Sequence, residues 1–141
     1  MKNLKTIYIS RPVLFSNIIL DWCKKVGIPP TKSPLHVTVA YSSTPVDWNL
    51  PVFMPLYGGT TIDTTFELKY FGNSIVMIFD APELQNRFKN LRSAGASYDF
   101  PEYNPHVTLS EASGIDINNI RPYADLLYLG RESREEIDAN K

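Results

Sequence analysis

The chain has 141 residues, a formal net charge of −1, 43% hydrophobic and 21% charged residues, which is the make-up of an ordinary soluble globular protein. That length allows one domain, if need be in two packed halves, and excludes several independent ones; it also buries enough apolar surface to fold on its core alone. The near-neutral charge excludes the broad positive field of a general nucleic-acid binder, no apolar run is long enough to span a bilayer, and the single cysteine, Cys23, excludes a disulfide framework or a CxxC pair.

The first residues, Met1 to Lys5, lead into a polar-punctuated segment and not into the apolar stretch of a signal peptide, so a cytoplasmic location is expected. Lys5 to Ser10 alternates apolar and polar residues and reads as a strand. A helix follows: Leu14, Ile18, Ile19, Trp22 and Val26 recur at helical spacing, Lys24 and Lys25 suit a last turn, and Gly27 stops it. After the Pro29-Pro30 turn, His36 to Tyr41 is a second strand, expected to show Val37, Val39 and Tyr41 on one face and His36, Thr38 and Ala40 on the other. Residues 42–64, broken by Pro45, Pro51, Pro55 and Gly58-Gly59, read as a long, weakly patterned connection.

The second half repeats the plan. Thr65 to Tyr70 and Ser74 to Phe79 form a strand pair about a Gly72-Asn73 turn. Asp80 with Glu83 reads as a capping box opening a helix lined by Leu84, Phe88 and Leu91 and stopped by Gly95. His106 to Ser110 is a strand after Pro105, Leu126 to Leu129 is a last strand, and Glu132 to Lys141 is an exposed charged tail. The halves also differ in charge: residues 1–70 carry seven bases and four acids, residues 71–141 seven bases and eleven acids. An anionic substrate is therefore expected to be held by local contacts in a cleft more than by long-range steering.

The chain has only two histidines, His36 and His106, 70 residues apart, and both stand in the same words, His36-Val37-Thr38 and His106-Val107-Thr108. On a strand, positions i and i+2 share a side, so each imidazole has a threonine hydroxyl about 7 Å away along the strand. One such triplet on a half-buried strand is ordinary packing; two matched copies in matched elements make a pocket floor of two imidazoles and two hydroxyls. Transfer at a phosphodiester needs one group to take the proton of the attacking oxygen and another to protonate the leaving oxygen, and imidazoles do both near neutrality. Hydroxyls donate to the non-bridging oxygens without carrying a proton-transfer duty. Beyond the two histidines a zinc or iron site would need carboxylates that no spacing singles out, and no GxSxG elbow is present, so neither a metal nor a cofactor is expected.

The paired HVTV and HVTL motifs resemble the hallmark of the 2H phosphoesterase superfamily. The flanking words TIYISRPVL, LHVTVAYSSTPVDW, GASYDFPEYNPHVTLS and LYLGRESREEI resemble, more narrowly, the phage anti-CBASS phosphodiesterases, which destroy the cyclic oligonucleotide alarm signals of bacterial immunity. The resemblance covers nearly the whole chain. It implies an α+β fold over residues 1–141, with two pseudo-symmetric lobes, approximately 1–64 and 65–141, each an antiparallel sheet and a helix beside a central cleft.

It further implies catalytic roles for His36 and His106, phosphate-binding roles for Thr38 and Thr108, and a nucleotide contact at Tyr8. The family's C-terminal glutamate has three possible matches, Glu132, Glu135 and Glu136, of which Glu136 is taken as the substrate contact; the family's C-terminal aromatic has no counterpart in Ile137 to Lys141. Trp48 is a second candidate for base stacking. Tyr70, Phe71, Tyr98 and Tyr103 read as core or rim packing, Cys23 as a packed or surface thiol, and Arg11 and Lys32 as solvated bases.

The expected activity is metal-free hydrolysis of 3′,5′-linked cyclic di- or trinucleotides in a bacterial cytoplasm, with no membrane or DNA partner. The rivals are an RNA 2′,3′-cyclic phosphodiesterase of the same superfamily and a sponge that binds cyclic nucleotides without turnover.

Overall fold

The computed structural model describes residues 2–112 and 114–137, so residues 138–141 of the expected charged tail lie outside it. The first strand, β1 (Leu4–Leu14), runs past the expected end at Ser10 because Pro12 needs no N–H there: its carbonyl accepts from Gly130 N–H at 2.9 Å. Helix α1 (Ser16–Val26) ends at Gly27, whose left-handed φ of 84° suits a residue without a Cβ, and its last turn holds Lys24 and Lys25. Strand β2 (His36–Asp47) continues well into the expected connection. Three of its residues, Ser43, Thr44 and Pro45, oppose a single residue of β1, Thr6, and this bulging erases the alternation that would have marked the strand.

A short 3-10 turn at Pro51–Phe53 and strand β3 (Thr60–Ile62) also lie within that stretch. Strands β4 (Phe66–Phe71) and β5 (Ser74–Phe79) form the expected hairpin, with Gly72 at φ 60° in its turn. Helix α2 (Pro82–Ser93) corrects the capping box. Its N-cap is Ala81, Pro82 supplies a first residue already set at a helical φ, and Glu83 accepts from the Thr60 hydroxyl at 2.6 Å. Strand β6 (His106–Ser110) follows, then β7 (Leu127–Leu129) and β8 (Ser133–Glu135).

The larger sheet runs β2-β1-β7-β3; β8 lies beside Tyr8 to Ser10 of β1, and β7 beside Val13 and Leu14. The smaller sheet runs β4-β5-β6. All pairings are antiparallel, and the edge strands β2 and β6 lie next to each other. The chain does not divide at residue 64 as expected: after β6 it returns to the first sheet, where β7 and β8 complete the flank of β1.

The core lies behind the sheets, where Ile7, Ile9, Val37, Val39, Met77, Val107 and Leu109 are all fully buried. Helix α1 turns Ile19 and Cys23 into it, and burial pushes the Cys23 thiol up to about 11. Helix α2 turns in Leu84 and Leu91 and packs against β2, a strand of the other sheet. Trp22 of α1 meets Tyr123 at 5.6 Å, which in turn meets Phe66 of β4 at 5.6 Å, so the two sheets share one apolar interior.

Candidate active site

The two His-Val-Thr triplets occupy the same place in the two sheets. Each lies on an inner edge strand, and each strand shows the same burial sequence, half-buried histidine, buried valine, half-buried threonine, then two buried residues in a row. Two buried neighbours break the alternation, and the pairing explains why. Ser10 of β1 faces Thr38 and Ile9 faces Ala40, leaving Val39 as an extra residue; Val76 of β5 faces Thr108 and Ile75 faces Ser110, leaving Leu109. Each motif therefore runs straight into a one-residue bulge, a device that re-aims the side chains beyond it.

On β2 the bulge moves Tyr41 to the open face, against the expectation that it shares the buried face of Val37 and Val39. There its ring meets Tyr8 edge-on at 5.5 Å. The open face of this sheet becomes a grid of cross-strand neighbours: Tyr41, Tyr8 and Glu135 in one row, Thr38, Ser10 and Ser133 in the next, with the Ser10 and Ser133 hydroxyls 3.2 Å apart, and His36 opposite Pro12 in the last. Tyr8, Ser10, His36, Ser133 and Glu135 line a shared cavity of about 450 Å³. His106 borders a second cavity, of about 700 Å³, with Phe71, Tyr98, Phe100 and Asn104.

Both imidazoles are held alike. His36 Nδ1 lies 2.9 Å from the carbonyl oxygen of Pro34, and His106 Nδ1 lies 2.7 Å from that of Asn104. A carbonyl only accepts, so Nδ1 carries the hydrogen in each ring and Nε2 is left to exchange a proton. Phe71 stands edge-on to His106 at 4.9 Å and limits its rotation. Among the described residues, no protein group bonds the hydroxyls of Thr38 or Thr108, which leaves both as donors.

The edges that carry the motifs are laced together reciprocally. The Tyr103 hydroxyl, three residues before His106, donates to the Thr38 carbonyl at 2.7 Å, and the Thr31 N–H, five residues before His36, donates to the Leu109 carbonyl at 2.7 Å. Burial, the main cause, pushes the Tyr103 phenol well up, so it remains a donor throughout the neutral range. Its ring is stacked on Phe88 of α2 at 4.5 Å.

Other candidates are placed elsewhere. Trp48 is covered by the Arg134 guanidinium at 4.2 Å and Lys5 at 5.1 Å, donates from Nε1 to the Thr6 carbonyl, and does not line the cavity of His36. Arg11 is buried, not solvated, and its Nη1 donates to the carbonyls of Gly58 and Gly130, both at 2.8 Å.

The glutamates separate. Glu132 is buried in a two-point ion pair with Arg87, at 2.9 and 3.0 Å, and accepts from the Leu56 N–H, which corrects the expectation of a freely exposed charged terminus. Glu135 stands opposite Tyr8 on the open face and Glu136 lies outside the cavity lining. The residues that sequence reasoning passed over are Ser10, Ser133 and Phe100, whereas Tyr41 was expected on the buried face and Tyr103 in core or rim packing; only Ser10 carried a signal, two positions beyond Tyr8 on one strand. Among the described residues, no group of three or more His, Cys, Asp or Glu is arranged to hold a metal ion.

Residues 5–141 match the family profile of the anti-CBASS protein Acb1. The chain is 34% identical over 129 residues to the anti-CBASS protein Acb1 of Escherichia phage RB16, covering 84% of this chain and 71% of that protein. It is 33% identical to the protein of the same name from Caulobacter sp. (strain RHG1), and 34% identical to that from Sphingomonas paeninsulae, over 95% and 94% of this chain. It spans 23% of the length of each of those two relatives. Among solved structures, E. coli LigT in complex with 3′-AMP superposes with a TM-score of 0.63 at 21% identity, covering 94% of this chain and 87% of that one, so the fold is the α+β fold of the 2H phosphoesterases.

Proposed function

The chain belongs to the anti-CBASS Acb1 family, and from that premise we propose that it is a metal-independent phosphodiesterase that hydrolyses 3′,5′-linked cyclic di- or trinucleotide signals. The observation that carries this reading is the matched pair of His-x-Thr motifs on facing edge strands, each imidazole fixed through Nδ1 and each followed by the same bulge. A ribose 2′-hydroxyl or a water attacks phosphorus; one Nε2 takes its proton, and the other, protonated, delivers one to the departing 5′-oxygen. Thr38 and Thr108 donate to the non-bridging oxygens, whose charge grows in the transition state. Tyr8 and Tyr41 offer a base a stacking surface, and Glu135, beside Tyr8, takes the substrate-contacting role assigned from sequence to Glu136.

The LigT-like fold, seen in that protein with 3′-AMP, supports a second reading: an RNA 2′,3′-cyclic phosphodiesterase. Incubation in EDTA with cyclic dinucleotides, cyclic trinucleotides and 2′,3′-cyclic mononucleotides separates the readings. Linear 3′,5′-linked products support the first and opened 2′,3′-cyclic phosphates alone support the second. Ligand bound but recovered intact means a sponge, and activity lost in EDTA and restored by Mn²⁺ or Zn²⁺ overturns the metal-free mechanism.

A further inference from the structure

Arg11 is only 6% exposed, and its Nη1 donates to two neutral groups, the carbonyls of Gly58 and Gly130. Its Nε is also buried and has no hydrogen-bond partner among the described residues. Among them Arg11 forms no ion pair either. Glu132, the only buried acid of the described residues, is already held at two points by Arg87, whose side chain is 10% exposed. Two guanidinium groups against one carboxylate leave this interior with an excess of one positive charge. A buried cation is costly unless an anion meets it.

The place of that charge says which anion it suits. On β1, Arg11 stands opposite Val37, the middle residue of the first motif, with His36 and Thr38 on either side. Arg11 and Val37 share the buried face, so the guanidinium lies behind the surface from which the imidazole and the hydroxyl project. The charge also reaches the Tyr103 phenol, whose hydroxyl is bonded to the Thr38 carbonyl: burial, then Tyr98 and Glu132, push that phenol up, and Arg11 draws it down. The matching position behind the second motif, opposite Val107, is Met77, a fully buried apolar side chain. Packing behind a motif strand therefore does not require a charge. We propose that Arg11 is a fixed buried cation whose counter-ion is the phosphodiester of the substrate, acting on that anion through the strand that carries His36 and Thr38. In a protein interior a unit charge is felt across a strand, and a fixed one needs no reorganisation as the phosphate gains charge. This rests on the phosphodiesterase reading and adds to it a residue that the proton transfers do not use.

Arg11→Gln keeps an N–H donor for the two carbonyls and removes the charge, whereas Arg11→Lys keeps the charge. Calorimetry gives Kd for a 3′,3′-cyclic dinucleotide with phosphorothioate linkages, which are anionic, and for the same ring with neutral methylphosphonate linkages. The expected result is a Kd for the anionic ring raised roughly tenfold in Arg11→Gln and within about threefold of wild type in Arg11→Lys, with the neutral ring unaffected by either change. If thermal denaturation shows Arg11→Gln to be unfolded, Arg11→Met, an apolar stem without charge, takes its place in the same comparison. Wild-type affinity for the anionic ring in Arg11→Gln overturns the proposal. So does an Arg11→Lys as weak as Arg11→Gln, or an equal loss for both rings, because Arg11 is then only a strut beneath the sheet. A wild-type protein that does not bind the anionic ring overturns the phosphodiesterase reading and the proposal together.

Discussion

A single hydroxyl separates Tyr103 from phenylalanine, and that hydroxyl donates to the Thr38 carbonyl of β2, an edge strand of its sheet. Tyr103→Phe removes that bond at a part-buried site while the stack on Phe88 survives. The expected stability loss is about 1–3 kcal/mol, read from the thermal midpoint, with a fall in kcat larger than the change in KM because the misplaced group is the Thr38 donor and not a base contact. An unchanged kcat would show that the lacing holds the fold without setting the site. The two nearby glutamates give a second contrast: Glu135→Gln is expected to raise KM severalfold and Glu136→Gln to leave it unchanged, since only Glu135 pairs with Tyr8 on the open face. Steady-state kinetics on one cyclic dinucleotide measure both, and the opposite ranking would restore Glu136 as the contact.

At the scale of elements, the open face depends on how β8 is delivered to β1. The strand is three residues long, too short to dock by its own ladder, and its entry is fixed by Glu132, gripped by Arg87 of α2 and by the Leu56 N–H. Arg87 in turn donates to the carbonyls of Val52 and Met54, so one guanidinium joins α2, the 52–56 loop and the C-terminal segment. The Glu132 side chain is wholly buried, and removing one partner of such a pair strands the other charge. Glu132→Ala is therefore expected to cost about 3–5 kcal/mol, seen in chemical denaturation, and to weaken substrate binding through loss of Glu135 and Ser133 from the grid. Arg87→Met with Glu132→Leu should regain much of the stability; a double variant as unstable as the single would place the loss in packing and not in charge.

For the whole molecule, the proposed reaction takes one imidazole from each of the two sheets. His36→Ala and His106→Ala are each expected to lower kcat by a hundredfold or more with folding intact, and the double variant to be little worse than either single, as for groups acting as a unit. Turnover should follow a bell-shaped pH profile, because one imidazole works neutral and the other charged. Each single variant should lose one limb of the bell, and a profile that keeps both limbs would mean that the remaining histidine is not the partner.

How much of this was legible in the sequence follows from what each feature depends on. The strands of the two motifs, both helices and the β4-β5 hairpin rest on local periodicity, capping glycines and turn chemistry, all of which sit within a few residues of chain; the repeated His-Val-Thr words marked the candidate site for the same reason. The bulges after Thr38 and Thr108 exist only in the pairing with β1 and β5, so no pattern in β2 alone could announce that Tyr41 turns to the open face. Strands β3 and β8 are three residues each and form because partners 60 to 130 residues away present an unpaired edge. Glu132 read as one solvated acid among several because its burial depends on Arg87, 45 positions earlier. Local sequence determined which elements form and which groups can move a proton; tertiary pairing decided which face each side chain shows, and so which tyrosine, serine and glutamate stand beside the histidines.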